Sequence, residues 1–298
     1  MPPSSVITPV LCFGEVLWDL LPHGAFPGGA PFNVAYHLHQ LAVPVCPVSA
    51  VGRDDLGAQL LQRLRGWGIN TSAITQHATF PTGQVQATLS AQGDAHYSIA
   101  CDVAWDRILV TDTLLKVAAT APALVFGSLA LRLVENRAAL NELIAALPYS
   151  AWRVFDVNLR APHDDLTLVR HFAASANVLK LNASEAAQLA ANAVESPGLE
   201  ETHARTLAAQ FGIPLICITA GERGAGLLRA GRWTWVSAQR VTVADTIGAG
   251  DAFLAAFLAG LLRGSHTDTE ILSAACRLGE WVAAHPGATP AYQATSVD

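Results

Sequence analysis

Short apolar runs at residues 45–51, 123–126, 152–157, 178–181 and 214–219 alternate along this chain with stretches of helical period at 35–41, 56–67, 137–147 and 201–211. Apolar runs without polar alternation suit strands covered on both faces. Strands that take turns with helices predict a largely parallel sheet between helical layers, an α/β fold. Two regions, 10–21 and 83–100, break the rhythm. In the second, Gln84-Val-Gln-Ala-Thr-Leu-Ser90 and His96-Tyr-Ser-Ile99 flank Ala91-Gln-Gly93-Asp94, the pattern of an antiparallel hairpin. Residues 252–262 (AFLAAFLAGLL) are apolar on every face and predict a buried helix. No internal repeat, low-complexity tract or linker divides the chain, so 1–298 reads as one domain.

A chain of 298 residues with 51% hydrophobic content can bury a core large enough for one sizeable α/β unit. Lys and Arg number 18 against 24 Asp and Glu, a formal charge of −6, with no basic cluster. Nucleic acid and membrane are therefore disfavoured as partners, and a small-molecule enzyme is favoured. Cys12, Cys46, Cys101, Cys217 and Cys276 include no C-x-x-C pair and several lie in apolar runs, which predicts reduced core thiols and a cytoplasmic setting. The opening MPPSSVITPV lacks the basic-then-apolar order of a signal peptide. The uncharged run 117–131 holds Pro122 and Gly127 and is too short for a membrane span.

Candidate chemistry is densest at Val243-Ala-Asp245-Thr-Ile247-Gly248-Ala249-Gly250-Asp251-Ala-Phe253, a glycine turn with two aspartates leading into the apolar helix. Small residues at 248–250 let backbone N–H groups converge on an anion at a helix start. A carboxylate at Asp251 could take the proton of an attacking hydroxyl while those N–H groups stabilise a phosphoryl group in transfer. Aspartate is also a preferred helix cap and glycine a common turn former, so Gly-x-Gly-Asp alone carries a capping reading as well. Asp245 lies at the strand end, where capping has no use for it.

Elsewhere, Asp19, Asn33 and the Gly28-Gly29 backbone could grip adjacent sugar hydroxyls, or Gly28-Gly29 could be a plain turn and Asn33 a cap before a helix at 35. Asn182 and Glu185, three apart at a strand-to-helix junction, could hold waters around Mg²⁺ or form a capping box. Arg160 could meet phosphate or sugar, or be a solvated charge. No G-x-x-x-x-G-K-[ST] loop exists, and 248–253 lacks the last glycine of a dinucleotide fingerprint. Gly127-Ser128 lacks the hydrolase elbow, though Ser128 could line a sugar pocket, and no histidines show H-x-x-x-H spacing.

The 243–253 string resembles the second signature of the ribokinase-like (PfkB) sugar kinases, D-T-x-G-A-G-D-x-F, at every fixed position. Gly28-Gly29-Ala-x-x-Asn33-Val-Ala and Val51-Gly52-Arg-Asp54-Asp55-x-Gly57 resemble the first, and the family pattern covers about 10–291. The resemblance implies a ribokinase-like three-layer αβα fold with a small β lid, drawn from about 10–30 and 83–105, that excludes water. It implies Asp251 as catalytic base, an anion hole at Gly248, Ala249 and Gly250, and Asp245 and Ile247 beside a monovalent cation, K⁺. Substrate contacts would be Asp19, Gly28, Gly29 and Asn33, with Asn158 and Arg160 from a D-x-N-x-R string. ATP and Mg²⁺ would be served by Asn182 and Glu185 (N-x-x-E), by Thr219, Gly221 and Gly224 (T-x-G-x-x-G), and by Gly287 near adenine and the cation.

Within that family, the G-E-x-L-W-D-x-L-P opening at 14–22, Ala104-Trp105-Asp106-Arg-Ile and 155–160 look closest to fructokinases. Val157 departs from the proline usual there, and Ala291 stands where many relatives carry a serine cation ligand. The implied activity is ATP-dependent phosphorylation of a primary hydroxyl, of fructose first. A kinase for 2-keto-3-deoxygluconate, a ribosyl compound or a nucleoside stays open, as does a catalytically silent sensor. A homodimer through the lid is a further implication.

Overall fold

The computed structural model describes residues 8–21, 24–89 and 95–292. Its first part runs β1 (Val10–Phe13), β2 (Leu17–Leu21), β3 (Gly24–Gly28), α1 (Ala30–Gln40), β4 (Val45–Gly52), α2 (Asp55–Gly66), β5 (Ile74–His77), β6 (Gly83–Leu89) and β7 (Ala95–Ile99). The middle continues with α3 (Asp112–Ala118), β8 (Ala123–Gly127), α4 (Val134–Ala146), β9 (Trp152–Asp156), α5 (Leu166–Ala173), β10 (Val178–Asn182), α6 (Ala183–Ala191) and α7 (Glu200–Phe211). It closes with β11 (Leu215–Thr219), β12 (Ala225–Arg229), β13 (Arg232–Val236), α8 (Ala249–Arg263) and α9 (Asp268–Ala283).

Nine strands form one sheet in the order β13-β12-β11-β10-β9-β8-β1-β4-β5, parallel throughout except at β11/β12 and β12/β13. Successive side chains of a strand point to opposite faces. Val10, Cys12, Val125, Val154, Val178 and Cys217 accordingly join the core under α1, α2, α8 and α9. Leu11, Phe13, Phe126, Phe155, Leu179 and Ile216 join the core under α3 to α7. This two-sided burial is the cause of the unbroken apolar runs in the sequence. The five cysteines are unpaired, and all but Cys101 are buried. No described helix is long and apolar enough to cross a membrane.

A smaller sheet has the order β3-β2-β6-β7, with β2/β3 and β6/β7 antiparallel and β2/β6 parallel. The hairpin expected at 83–100 is β6/β7, and its turn at 91–94 lies outside the described residues. The lid bounds need correction at both ends. Val10–Phe13 is a central strand between β4 and β8 with every residue buried, because both of its faces are apolar. Residues 104–106 form a buried 3-10 turn beneath the small sheet, not a strand of it.

Polar clamps fix this sheet to the body. Asp54 caps α2 through the Gly57 N–H (2.8 Å) and also accepts from Thr82 N–H (2.8 Å) and Oγ1 (2.6 Å), just before β6. Arg132 donates to both Asp106 oxygens at 2.6 and 2.7 Å, stacks over Trp105 and donates to the Ala100 carbonyl at 2.7 Å, just after β7.

Candidate active site

The turn before α8 lies where the helix begins at Ala249, with Gly248 in the left-handed region at φ 77°. A Cβ on Gly248 would sit 2.6 Å from the Cα of Ala288, so glycine is required on both counts. No side chain caps α8. The N–H groups of Gly250 and Asp251, in the first turn, have no intrahelical acceptor by geometry. Asp251 is no cap: its Oδ2 accepts from Asn33 Nδ2 at 2.8 Å. The capping alternative for Asn33 fails too, because α1 begins at Ala30, with Gly29 before it and proline in its first turn. Asn33 therefore lies inside the helix and faces Asp251. Gly29, at φ 111°, brings its backbone so close that a Cβ would lie 2.3 Å from the Glu15 carbonyl oxygen. Gly28 lies against the Asp19 carboxylate.

Three carboxyls of this cleft are displaced toward neutrality. Burial raises Asp251 to about 6, with help from Asp156 and opposition from Asn33, Lys180 and Arg160. Burial likewise raises Asp19 to about 6, against the pull of Arg160. Glu15, 3% exposed, is raised by burial to about 7. One oxygen of Glu15 accepts from Ala30 N–H at 3.1 Å, while the other, like Asn33 Oδ1 and Ser128 Oγ, is buried without a hydrogen-bond partner. Buried acceptors left open beside a carboxylate suit a ligand that brings hydroxyl donors.

Two residues that the sequence reading did not assign complete the electrostatics. Lys180 Nζ contacts both oxygens of Asp156 at 3.0 and 3.1 Å, and the two residues are 6% and 3% exposed. They are register partners on β10 and β9. A Cβ on Gly250 would lie 3.3 Å from Lys180 Nζ, so the ammonium sits against the glycine turn. Burial opposes its charge, but Asp156, Glu185 and Asp251 outweigh burial and hold the Lys180 pKa above its ordinary value. Asp156 and Lys180, an acid and a base at buried positions of neighbouring strand runs, were the available signal.

On the other side of the turn, Asp245 accepts from Ile247 N–H at 2.9 Å and Gly287 N–H at 3.2 Å, pinning the 284–292 segment. Asn182 and Glu185 form the reciprocal capping box, at 2.8 and 2.9 Å. The second Glu185 oxygen accepts from Leu159 N–H at 2.8 Å, which fixes the backbone between Asn158 and Arg160. Arg160 is exposed, yet its charge is felt at Glu15, Asp19 and Asp251. Thr219 ends β11, and its Oγ1 donates to the Leu181 carbonyl at 3.4 Å. Gly221 and Gly224 form the following turn, where close packing on the Val236 carbonyl already accounts for Gly224.

Among the described residues no cluster of three or more His, Cys, Asp and Glu could hold a metal directly. A cation here would rest on carbonyl, phosphate and water oxygens, a hard donor set that suits Mg²⁺ and K⁺.

Known proteins resemble this chain in sequence and in fold. The chain is 29% identical over 243 residues, covering 80% of this chain and 74% of the relative, to a sugar kinase of Pyrococcus horikoshii. The structure of that uncharacterized sugar kinase in complex with ATP superposes with a TM-score of 0.79 at 26% identity, covering 96% of each chain. A fructokinase of Rhizobium leguminosarum bv. trifolii is 28% identical over 271 residues, 85% of this chain and 79% of the relative. A fructokinase of Vibrio cholerae O395, solved with fructose, ADP and potassium, shares the fold at a TM-score of 0.82 and 24% identity over 98% and 97% of the two chains. The profile of the pfkB family carbohydrate kinases matches residues 24–295, taking in the Asn33 helix and the Asp251 turn alike, and the chain belongs to that family.

Proposed function

We propose that this carbohydrate kinase transfers the γ-phosphoryl group of ATP to a primary hydroxyl of fructose. The observation that carries the reading is the pairing of Asp251 with Asn33 at the start of α8, 2.8 Å apart. With a pKa of about 6, Asp251 is ionised at neutral pH and basic enough to take the proton of the attacking hydroxyl. Asn33 Nδ2 orients that carboxylate, while Asn33 Oδ1 and Asp19 accept sugar hydroxyls beside the Gly28-Gly29 backbone. Asn158 and Arg160 close the far side of the sugar.

The N–H groups of residues 248–250 and the Lys180 ammonium meet charge developing on the phosphoryl group. Thr219, Gly221, Gly224 and Gly287 line the nucleotide side. Asp245 and Ile247 would hold a K⁺ ion, and Asn182 and Glu185 would hold Mg²⁺ through water. A Mg²⁺ ion held there would supply charge neutralisation to the transferring phosphoryl group.

Fructose as acceptor is supported by the fructokinase-like strings at 14–22 and 104–108 and by the Rhizobium relative. The test is sugar-dependent ADP release from Mg-ATP with potassium, across fructose, ribose, 2-keto-3-deoxygluconate, glucose and adenosine. Preference for fructose is expected, with turnover falling about 10²–10⁴-fold in Asp251→Asn. Preference for another acceptor reassigns the substrate. Full activity of Asp251→Asn, or silence across the panel, refutes the reading.

A further inference from the structure

The helix that carries Asn33 also holds the segment packed against the glycine turn. Asn33, Tyr36 and His37 lie three and four residues apart and so share one face of α1. Tyr36 Oη donates to the Pro290 carbonyl at 2.9 Å. His37 is 0% exposed and uses both ring nitrogens: Nε2 lies 2.9 Å from the Ala288 carbonyl and Nδ1 3.0 Å from Tyr292 Oη. A carbonyl only accepts, so Nε2 carries the proton and Nδ1 accepts from the Tyr292 hydroxyl. Burial lowers the His37 pKa to about 4, which agrees with a neutral ring. The Tyr292 ring stacks on His37, with centroids 5.7 Å apart.

Ala288 in turn lies directly on Gly248, within the distance that excludes a Cβ there. One turn of α1 separates Asn33 from His37, and direct contacts run from His37 to Ala288 and from Ala288 to Gly248. This route is separate from the Asn33 to Asp251 bond. A leucine would fill the same apolar space, yet the position holds a fully satisfied imidazole whose fixed tautomer sets where the Ala288 carbonyl points.

We propose that His37 is a positioning residue: it holds the Ala288 segment, and through it the Gly248 turn, in the geometry that seats the γ-phosphoryl group, and it couples that seat to the helix carrying Asn33. This rests on the kinase reading of the site. The experiment is calorimetric titration, without sugar, of the wild type, His37→Leu, His37→Gln and Tyr292→Phe with Mg-ADP and with the non-hydrolysable analogue Mg-AMP-PNP. The two nucleotides differ by the γ group, so their affinity ratio reads the seat.

His37→Leu is expected to lose about tenfold in AMP-PNP affinity and less than about twofold for ADP. Gln both donates and accepts, so His37→Gln should recover most of the loss, and Tyr292→Phe should lose about threefold for AMP-PNP alone. A role in folding alone would weaken both nucleotides together. Equal weakening of both nucleotides, or no change in either, overturns the proposal. If His37→Leu does not fold, an unchanged AMP-PNP to ADP ratio in Tyr292→Phe overturns it equally. A wild type that binds neither nucleotide overturns the kinase reading itself, a result visible before any variant is compared.

Discussion

Removing one partner of the Lys180–Asp156 pair should shift the base in a direction that depends on which partner is lost. Asp156 is second only to burial among the causes that raise Asp251, while Lys180 lowers it. Asp156→Asn therefore lets the Asp251 pKa fall from about 6, and Lys180→Met lets it rise. On the proposed reading, with Asp251 as the base, activity is lost as pH falls through its pKa. The acid limb should move to lower pH in Asp156→Asn and to higher pH in Lys180→Met, each by on the order of one unit, equivalent to about 1.4 kcal/mol.

Stability should fall as well. Lys180 and Asp156 are 6% and 3% exposed, so removing the carboxylate leaves a buried ammonium with only its weaker partners Glu185 and Asp251. The low end of the cost of breaking a buried pair, about 3 kcal/mol, corresponds to a Tm drop of about 5 °C in a chain of 298 residues. The assay is kcat against pH at saturating sugar and Mg-ATP, since Asp19 and Glu15 titrate in the same window in the free enzyme, alongside thermal melts. Acid limbs that move the same way in both variants, or do not move, refute the argument that this pair sets the charge state of the base.

Glu15 titrates in the native state at about 7, above its ordinary 4.5. The folded chain then binds this proton more tightly than the unfolded chain, so its stabilising contribution is full below about pH 4.5 and is lost as pH rises to 7. Glu15→Gln should match the wild type near pH 4.5 in denaturant melts and exceed it by about 3 kcal/mol at pH 8; a gap that is constant with pH would count against a shifted Glu15. Gly248→Ala should lower kcat by about tenfold or more, because strain and collision with Ala288 displace the turn. Unchanged kcat in that variant would mean that the turn tolerates the shift.

What the sequence made legible was local. The apolar runs gave the central strands because burial on both faces leaves no polar alternation, and the Gly248 to Asp251 turn is contiguous. What was hidden depends on register and on distant packing. Val10–Phe13 reads like its lid neighbours until its partners β4 and β8 are known. Lys180 meets Asp156 only because two separate strands pair in one register. The contact between Asn33 and Asp251 spans 218 residues, and α1 reaches Asn33 only because proline is tolerated in a first helical turn. His37 looked like any histidine on an apolar helix until its partners at 288 and 292 were in place.

The Asn33 to Asp251 bond also bears on what the enzyme avoids doing. One oxygen of Asp251 accepts from the Asn33 amide. On the kinase reading, a water molecule entering the cleft meets a carboxylate whose proton-accepting capacity is partly engaged, and it offers too few hydroxyls to compete for Asn33. A sugar satisfies Asn33 Oδ1 and Asp19 together and can draw the pair into a productive arrangement. On that reading, discrimination against futile ATP hydrolysis rests on the several hydroxyls that a sugar brings to Asn33 and Asp19 and that a single water cannot match.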